Sequence, residues 1–358
     1  MAVSSSAILV TGGAGFIGSN LVRHLNAATG AHIVTLDKLT YAGHRENLAD
    51  LPVPARHTFV HGDICDLERC RGILAEHRVG AILHLAAESH VDRSIMGAEE
   101  FVQTNIVGTH RLLEAARAHW QSLSADERGR FRFVHVSTDE VYGSLAPADA
   151  PFTEDSPIRP NSPYAASKAA ADHLVRAAHR THGLPVVVTN CSNNYGPRQM
   201  PEKLVPVVIE RALAGKSIPI YGDGRQVRDW IHVDDHCRAL ARVLEAGRIG
   251  ETYNIGGDCE RTNLELVHAL CAVLDRERPR TDGQGHASQV THVADRPGHD
   301  RRYAISSARI ARELAWRPTV AFEEGLAATV RWYLAGRAWL EAVSNADHRA
   351  FMAKQYRW

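Results

Sequence analysis

Four apolar residues, Ala7-Ile8-Leu9-Val10, run directly into Thr11-Gly12-Gly13-Ala14-Gly15-Phe16-Ile17-Gly18, and apolar positions then recur at Leu21, Val22 and Leu25. A short, wholly apolar run suits a strand buried on both faces of a parallel sheet, and the later spacing is that of an amphipathic helix. Between them, Gly12, Gly15 and Gly18 allow a tight turn, close backbone approach to a pyrophosphate and tight helix-to-strand packing, with the helix N-terminus facing the phosphates. A glycine-rich turn is commonly only a turn. It is the strand before it and the helix after it that predict a dinucleotide-binding unit.

The alternation continues along the chain. His32 to Leu36 reads as the next strand and ends at Asp37, close to the ~20 residues expected of a ribose-binding acid. A carboxylate there accepts from the ribose hydroxyls and repels a 2'-phosphate, which favours NAD over NADP, although Lys38 beside it is a cation able to meet extra phosphate. His57 to His61 is a third strand, ending in Gly62-Asp63-Ile64, where Asp63 can reach the adenine amino group; a helix from about Asp66 to Glu76 follows. Ala81 to Leu85 is a fourth strand, whose end, Ala86-Ala87-Glu88-Ser89, leaves room for a cofactor. A long helix is expected over 97–119, its apolar surface broken by Thr104 and Asn105, either as local polarity or as cofactor contacts. Phe131 to Val136 and Leu184 to Thr189 are strands five and six, the latter ending in Asn190-Cys191-Ser192-Asn193-Asn194-Tyr195-Gly196-Pro197.

Beyond that point the strict alternation fails, which marks a second lobe. Val227 to Val233, leading into a helix capped by Asp234, and Tyr253-Asn254-Ile255-Gly256-Gly257 read as returns to the first domain. Thr262 and Glu265 have capping-box spacing, and Phe322 to Leu340 reads as the last long helix. The prediction is an α/β protein: a doubly wound parallel Rossmann sheet (1–190 plus 227–258) with a smaller C-terminal α/β substrate lobe (191–226 plus 259–358). The tail from Asn345 to Trp358 is expected to be poorly ordered.

Chemistry concentrates at Ser137-Thr138-Asp139-Glu140-Val141-Tyr142-Gly143 and Tyr164-Ala165-Ala166-Ser167-Lys168. Strand five delivers a hydroxyl and two neighbouring carboxylates to the cofactor edge of the sheet. Tyr164 and Lys168, four apart, share one face of a helix that Ser162 would cap and Pro163 would open. There the helix dipole and the Lys168 ammonium are both expected to favour phenolate over phenol, easing the use of Tyr164 as a base. In the second lobe Lys203, Arg228, Arg296, Arg301 and Arg302, with Tyr221 and Trp230, are candidates for holding an anionic ligand.

Lys+Arg and Asp+Glu balance at 41 each over 358 residues, so bulk charge favours neither nucleic acid nor an anionic membrane. No run approaches the ~20 apolar residues of a membrane span, and the start lacks a basic leader, so a cytoplasmic protein is expected. The six cysteines form no C-x-x-C pair and the 21 histidines no H-E-x-x-H. Free thiols and no metal follow as expectations.

From T-G-G-A-G-F-I-G at 11–18 to D-R-P-G-H-D at 295–300, these motifs resemble the extended short-chain dehydrogenase/reductase superfamily of NAD-dependent sugar-nucleotide epimerases and dehydratases, and within it the dTDP-glucose 4,6-dehydratase family. The Asp139/Glu140 pair is the most specific element, because related epimerases have small residues there. The resemblance implies NAD contacts at Phe16, Ile17, Asp37, Lys38, Leu39, Thr40, Asp63, Ile64, Leu85, Ala86, Ala87, Glu88, Ser89, Thr104, Tyr164, Lys168 and Asn194. For the sugar nucleotide it implies Ser89, Thr138, Asn193, Lys203, Leu204, Pro219, Ile220, Tyr221, Arg228, Asn263, Asp295, Arg296, Pro297, Gly298 and His299, with Arg228 and Arg296 suited to the diphosphate. It also implies a homodimer paired through the helices near 97–119 and 164–182.

The C5 proton of a hexose is not acidic until C4 becomes a ketone. The expected sequence is therefore oxidation at C4, with Tyr164 taking the hydroxyl proton assisted by Thr138 and Lys168. Abstraction at C5 by Glu140, protonation of the departing C6 hydroxyl by Asp139, and return of hydride to C6 follow. A UDP- or CDP-sugar dehydratase, a 4-epimerase, and a non-enzymatic NAD-binding scaffold are the alternatives.

Overall fold

The computed structural model describes residues 6–295 and 297–344; Arg296 and the tail from Asn345 to Trp358 lie outside the described residues. The chain opens with β1 (Ala7–Thr11), α1 (Phe16–Ala28), β2 (Ile33–Asp37), β3 (His57–His61), α2 (Leu67–Glu76) and β4 (Val79–His84). It continues through α3 (Val91–Met96), the single turn α4 (Glu99–Phe101), a π-helical turn (Val102–Gly108), α5 (Thr109–Ser122) and α6 (Ala125–Arg130). Then come β5 (Arg132–Thr138), α7 (Pro163–His182), β6 (Val186–Cys191), β7 (Asn193–Tyr195), α8 (Leu204–Leu213), β8 (Ile218–Tyr221) and β9 (Val227–His232). The remaining elements are α9 (Val233–Ala246), β10 (Thr252–Ile255), β11 (Glu260–Thr262), α10 (Asn263–Glu277), β12 (Val290–Val293), α11 (Ala308–Leu314), α12 (Phe322–Ala335) and α13 (Arg337–Val343).

Seven strands pair in parallel in the order β3-β2-β1-β4-β5-β6-β10. Helices α1 and α9 cover one face, with Leu21, Leu25 and Val243 in one core with Ile8, Val10 and Leu83. On the other, Ile73, Leu112 and Val175 of α2, α5 and α7 share a core with Leu9, Ile82 and Phe133. This is the doubly wound Rossmann sheet expected from the apolar runs. Strand order reverses between β1 and β4, and the crevice outside those carboxyl ends is where such a sheet takes its ligand.

The smaller sheets follow a different plan. β9 lies between β7, parallel to it, and β11, antiparallel; β8 pairs with β12. Ile209, Trp230, Leu270 and Leu326 belong to a separate core built with α8, α10 and α12.

Several local expectations are corrected. Val227 to Val233 does not rejoin the large sheet, because the buried Asp229 of β9 accepts from the amides of Gly257 (2.9 Å) and Cys259 (2.7 Å) and holds the strand beside β11. Of that segment only α9 returns, packing on α1, while Tyr253 to Ile255 return as expected, in β10 beside β6. Its cap is His232, whose Nδ1 accepts from the Asp234 amide at 3.3 Å; Asp234 lies in the first turn, where its charge suits the dipole. The helix expected over 97–119 is interrupted by the π turn, from which Asn105 reaches the backbone after β4. Gly336 divides the last helix into α12 and α13. The capping box does form at α10, with Thr262 Oγ1 accepting from the Glu265 amide and Glu265 accepting from the Thr262 amide. No described helix is long and apolar enough to cross a membrane.

Candidate active site

Gly12 follows β1 with φ +69°, and a Cβ there would stand 2.7 Å from the Ala86 amide nitrogen, so the turn and the segment after β4 meet at a distance that glycine alone allows. Gly18 is held as tightly, since a Cβ would lie 2.1 Å from the Gly12 carbonyl oxygen. Helix α1 thus begins hard against the turn, and Gly15, Phe16 and Ile17 line the crevice with both glycines.

At the end of β2, the Asp37 carboxylate accepts from the amides of Ala14 (2.9 Å) and Leu39 (2.8 Å). Burial pushes its pKa up, and the two amides pull it back. Leu39 takes a left-handed φ of +55° and packs on the core, so it is the one expected NAD contact that does not line the cleft; Asp37, Lys38 and Thr40 do. Lys38 Nζ lies 2.9 Å from Asp63 Oδ2, so its charge is matched within the protein.

The opposite wall is the segment Leu85 to Ser89, with Thr104 and Ile64 nearby. Asn105 fixes it: Oδ1 accepts from the Glu88 amide (2.9 Å), and Nδ2 donates to the Glu88 carbonyl (3.0 Å) and to Ser167 Oγ of α7 (2.8 Å). Its carboxamide is neither idle polarity nor part of the cleft lining; it ties the cleft wall to the Tyr164 helix.

β5 delivers the reactive stretch to this cleft. Thr138 caps one 3₁₀ turn over Asp139–Tyr142, its Oγ1 accepting from the Glu140 amide (3.3 Å) and donating to Asp139 Oδ1 (3.4 Å). Asp139 is 2% exposed and its Oδ2 has no hydrogen-bond partner among the described residues, whereas Glu140 is only half-buried; both line the cleft. Burial, then the Glu140 and Asp229 carboxylates, push Asp139 well above the carboxylate range, against the pull of the Arg228 guanidinium. Both causes favour the protonated form of this side chain over the ionised one.

Helix α7 starts as its sequence requires, with Ser162 Oγ accepting from the Ala165 amide (3.1 Å) and Pro163 at the first position. Tyr164 and Lys168 line the cleft together with Thr138. The expected loosening of the phenol proton is overturned, however. Burial, then the Glu140 carboxylate, push Tyr164 well above the ordinary tyrosine value, and the hydrogen bond with Thr138 only partly opposes them. Loss of water around the phenol outweighs the helix dipole. Lys168 is also buried, which lowers its pKa, while Asp172 one turn on raises it; its Nζ donates to the Val136 carbonyl at 2.9 Å. Asp172 in turn accepts from Ser137 Oγ (3.0 Å) and lies 3.1 Å from His135 Nε2.

From the second lobe, Asn193, Asn194 and Lys203 reach the cleft, and Lys203 Nζ donates to the Ser89 carbonyl at 3.0 Å, bridging its two walls. Leu204, Pro219, Ile220, Tyr221, Arg228, Asn263, Asp295, Pro297, Gly298 and His299 do not line it. Several of these form an adjoining network: His299 Nδ1 lies 2.6 Å from Asp295 Oδ1, the His299 and Tyr221 rings meet edge to face, and the Tyr221 hydroxyl donates to Asp92 (3.5 Å). The Arg228 guanidinium lies over the Tyr303 ring at 4.2 Å and donates to the Asp300 carbonyl. Arg301 and Arg302 pair with Asp223 and Glu260, Trp230 is buried in the lobe's core, and none of the three lines the cleft. Arg296 lies outside the described residues. Gln199, Met200 and Glu202 line the cleft without having been anticipated; they sit on a connection between β7 and α8 that carries no motif.

The protein-family profile described as GDP-mannose 4,6 dehydratase matches residues 9–329. The dTDP-glucose 4,6-dehydratase of Xanthomonas campestris pv. campestris (strain B100) is 57% identical over 341 residues, 95% of this chain and 97% of that protein. The chain belongs to the dTDP-glucose 4,6-dehydratase family. Among solved structures, the dTDP-glucose 4,6-dehydratase of Streptomyces venezuelae, with NAD bound, superposes with a TM-score of 0.85 at 51% identity, covering 94% of this dehydratase and 99% of that chain. A UDP-glucose 4-epimerase from Thermotoga maritima also superposes (TM-score 0.81; 92% and 99% covered), but at 30% identity.

The residues of this dehydratase fit NAD. The glycine cradle at Gly12 and Gly18 has no space for side chains, the Asp37 carboxylate lines the cleft at the end of β2 and would accept from a ribose, and Lys38 is neutralised by Asp63 instead of being left for a 2'-phosphate.

Proposed function

We propose that the protein dehydrates dTDP-glucose to dTDP-4-keto-6-deoxyglucose. The observation that carries this is the convergence, in one cleft, of a dinucleotide cradle, a Tyr/Lys pair and two adjacent carboxyl groups of unequal burial. NAD, held by the Gly12–Gly18 turn, Asp37 and the Leu85–Ser89 wall, supplies acceptance of hydride from C4 and its return at C6.

The protein's own groups move the protons. Tyr164 takes the proton of the C4 hydroxyl, with Thr138 beside it in the cleft and Lys168 on the same helix face. Glu140, half-buried and in the cleft, takes the C5 proton once C4 is a carbonyl. Asp139, kept protonated by burial, gives its proton to the C6 hydroxyl, which leaves as water. Glu140, half-buried and able to exchange its proton with solvent, then protonates C5 as C6 is reduced. Lys203, Asn193 and the Arg228 network are the groups we assign to the nucleotide and its diphosphate. We place the protein in the cytoplasm as a homodimer pairing through α5 and α7; Ile95, Met96 and Val102, exposed at 40–51% beside those helices, support that surface.

The test is incubation of the NAD-loaded protein with dTDP-glucose, UDP-glucose or CDP-glucose in heavy water, followed by mass spectrometry. Loss of one water with uptake of deuterium from dTDP-glucose is expected. Glu140→Gln should still oxidise C4 yet lose solvent exchange at C5 by roughly a hundredfold or more; unaltered exchange would remove Glu140 as the base.

A further inference from the structure

A hydride returned at C6 leaves NAD as it was, so the cofactor has no chemical reason to leave between turnovers. The crevice that takes it lies outside the ends of β1 and β4, and a segment of chain rises on each flank. After β2, residues 40–43 form a strap against Asp37: a Cβ at Gly43 would stand 2.6 Å from Asp37 Oδ1, and the His44 amide donates to the Ala14 carbonyl of the glycine turn at 3.0 Å. Thr40, Ala42 and Gly43 line the cleft, whereas Tyr41 between them does not. After β4 comes α3, and the guanidinium of its Arg93 lies over the Tyr41 ring, 4.0 Å from the centroid. The two flanks of the crevice are joined by that contact.

The second lobe supplies a third member. Arg93 Nη2 donates to Glu202 Oε2 at 3.2 Å, and His90 Nε2 stands 3.9 Å from the other oxygen, Oε1. Beside Glu202, Lys203 Nζ donates to the Ser89 carbonyl at 3.0 Å, so two successive residues of the second lobe tie onto the segment after β4. The Glu202 side chain is 1% exposed, and a carboxylate so deeply buried is held in place by its cation. A guanidinium suits this junction because it can stack on an aromatic ring with its flat face while donating from its edge, which an ammonium cannot do.

We propose that Arg93 is a positioning residue for the cofactor: by joining Tyr41 of the strap to Glu202 of the second lobe, it closes a clasp that keeps NAD in the crevice from one turnover to the next. Arg93 touches neither NAD nor sugar in this role and acts through the strap, whose neighbouring residues line the cleft. Opening the strap means giving up the ring contact, and moving α3 away with it means giving up the buried ion pair. The clasp concerns NAD alone, so it stands whichever nucleotide sugar the cleft takes and is tested without one.

Protein loaded with radiolabelled NAD is diluted into excess unlabelled NAD, and the label still bound is followed over time by rapid gel filtration. Arg93→Ala and Tyr41→Leu are each expected to raise the dissociation rate roughly tenfold or more, and Tyr41→Phe, which keeps the ring, to leave it near the parent value. Because both changes break one contact, Arg93→Ala with Tyr41→Leu should release NAD no more than about two- to threefold faster than either alone. Two effects that multiply in full, or an unchanged rate in Arg93→Ala, overturn the clasp. A general loosening of the fold is separated by Arg93→Ala with Glu202→Gln. That pair removes the buried charge left without its cation, so stability in denaturant returns toward the parent while fast release of NAD persists. Release that slows to the parent rate along with the recovered stability also overturns the clasp. If Arg93→Ala alone does not fold, the Arg93→Ala/Glu202→Gln pair and Tyr41→Leu are held to the same criteria.

Discussion

Replacing Gly18 by alanine sets two effects of known sign against each other. Within a helix the exchange gains at most about 1 kcal/mol of propensity, and Gly18 is the third residue of α1. The added Cβ would stand 2.1 Å from the Gly12 carbonyl oxygen and 2.8 Å from both the Gly12 carbonyl carbon and Gly13 Cα. Carbon and oxygen in contact rest roughly 3.3 Å apart or more, so helix and turn must separate by about 1 Å. Overpacking costs roughly 1–3 kcal/mol, and with backbone on both sides of the clash the upper half of that range applies. The net expectation is a loss of about 1–2 kcal/mol despite the better helix former. Because the separation opens the phosphate cradle, NAD retention should fall as well. Gly72→Ala is the matched control: Gly72 is exposed on α2 with no atom within 4 Å of its Cβ position, so about 0.5–1 kcal/mol of stabilisation is expected. Denaturant unfolding of both variants, with the NAD content of each purified protein read by absorbance, decides the matter. A Gly18→Ala protein that unfolds no earlier than the parent and carries its full NAD would refute the steric reasoning.

Asp139→Asn should abolish dehydration and yet stabilise the fold at neutral pH. Burial raises the Asp139 pKa, so the folded state keeps a proton that the unfolded chain releases above about pH 4; this side chain then costs stability that grows as pH rises from there. Denaturant midpoints should show the variant ahead of the parent at pH 8 and level with it near pH 4, and a gain independent of pH would exclude desolvation as its source. Arg93 Nη2 lies 3.2 Å from Glu202 Oε2, whose side chain is 1% exposed, and its guanidinium sits over the Tyr41 ring at 4.0 Å. Breaking a fully buried pair costs roughly 3–5 kcal/mol, and since Arg93 is partly exposed, Arg93→Ala should cost about 2–3 kcal/mol. Adding Glu202→Gln should recover most of that loss in the same unfolding assay; a double variant no more stable than Arg93→Ala would show that the uncompensated carboxylate is not the cause.

The features legible in the sequence are those whose causes lie within a few residues of one another. The β1 run, the Gly12–Gly18 turn and Asp37 are linked by sterics and by the reach of one βαβ unit, and Thr138, Asp139 and Glu140 are chain neighbours. The Ser162–Pro163 start of α7 is equally local. What escaped the sequence depends on partners far along the chain. β9 is drawn to the small sheet because Asp229 satisfies the amides of Gly257 and Cys259, and Asn105 reaches Glu88 from a π turn within its helix. Neither partner is marked by composition. Glu202 enters the cleft from a connection with no periodicity, and its pairing with Arg93 joins segments that no motif relates.

The sign of the Tyr164 shift is the clearest case of this division. Helix position and Lys168 spacing, both visible in the sequence, argue for an easily lost proton, but water is excluded by the whole cleft and the Glu140 carboxylate approaches from another element. Tyr164 and Asp139 are therefore both shifted toward holding a proton, for the same reason. Neither shift follows from the spacing of Tyr164 and Lys168, because both come from the folded surroundings of the cleft.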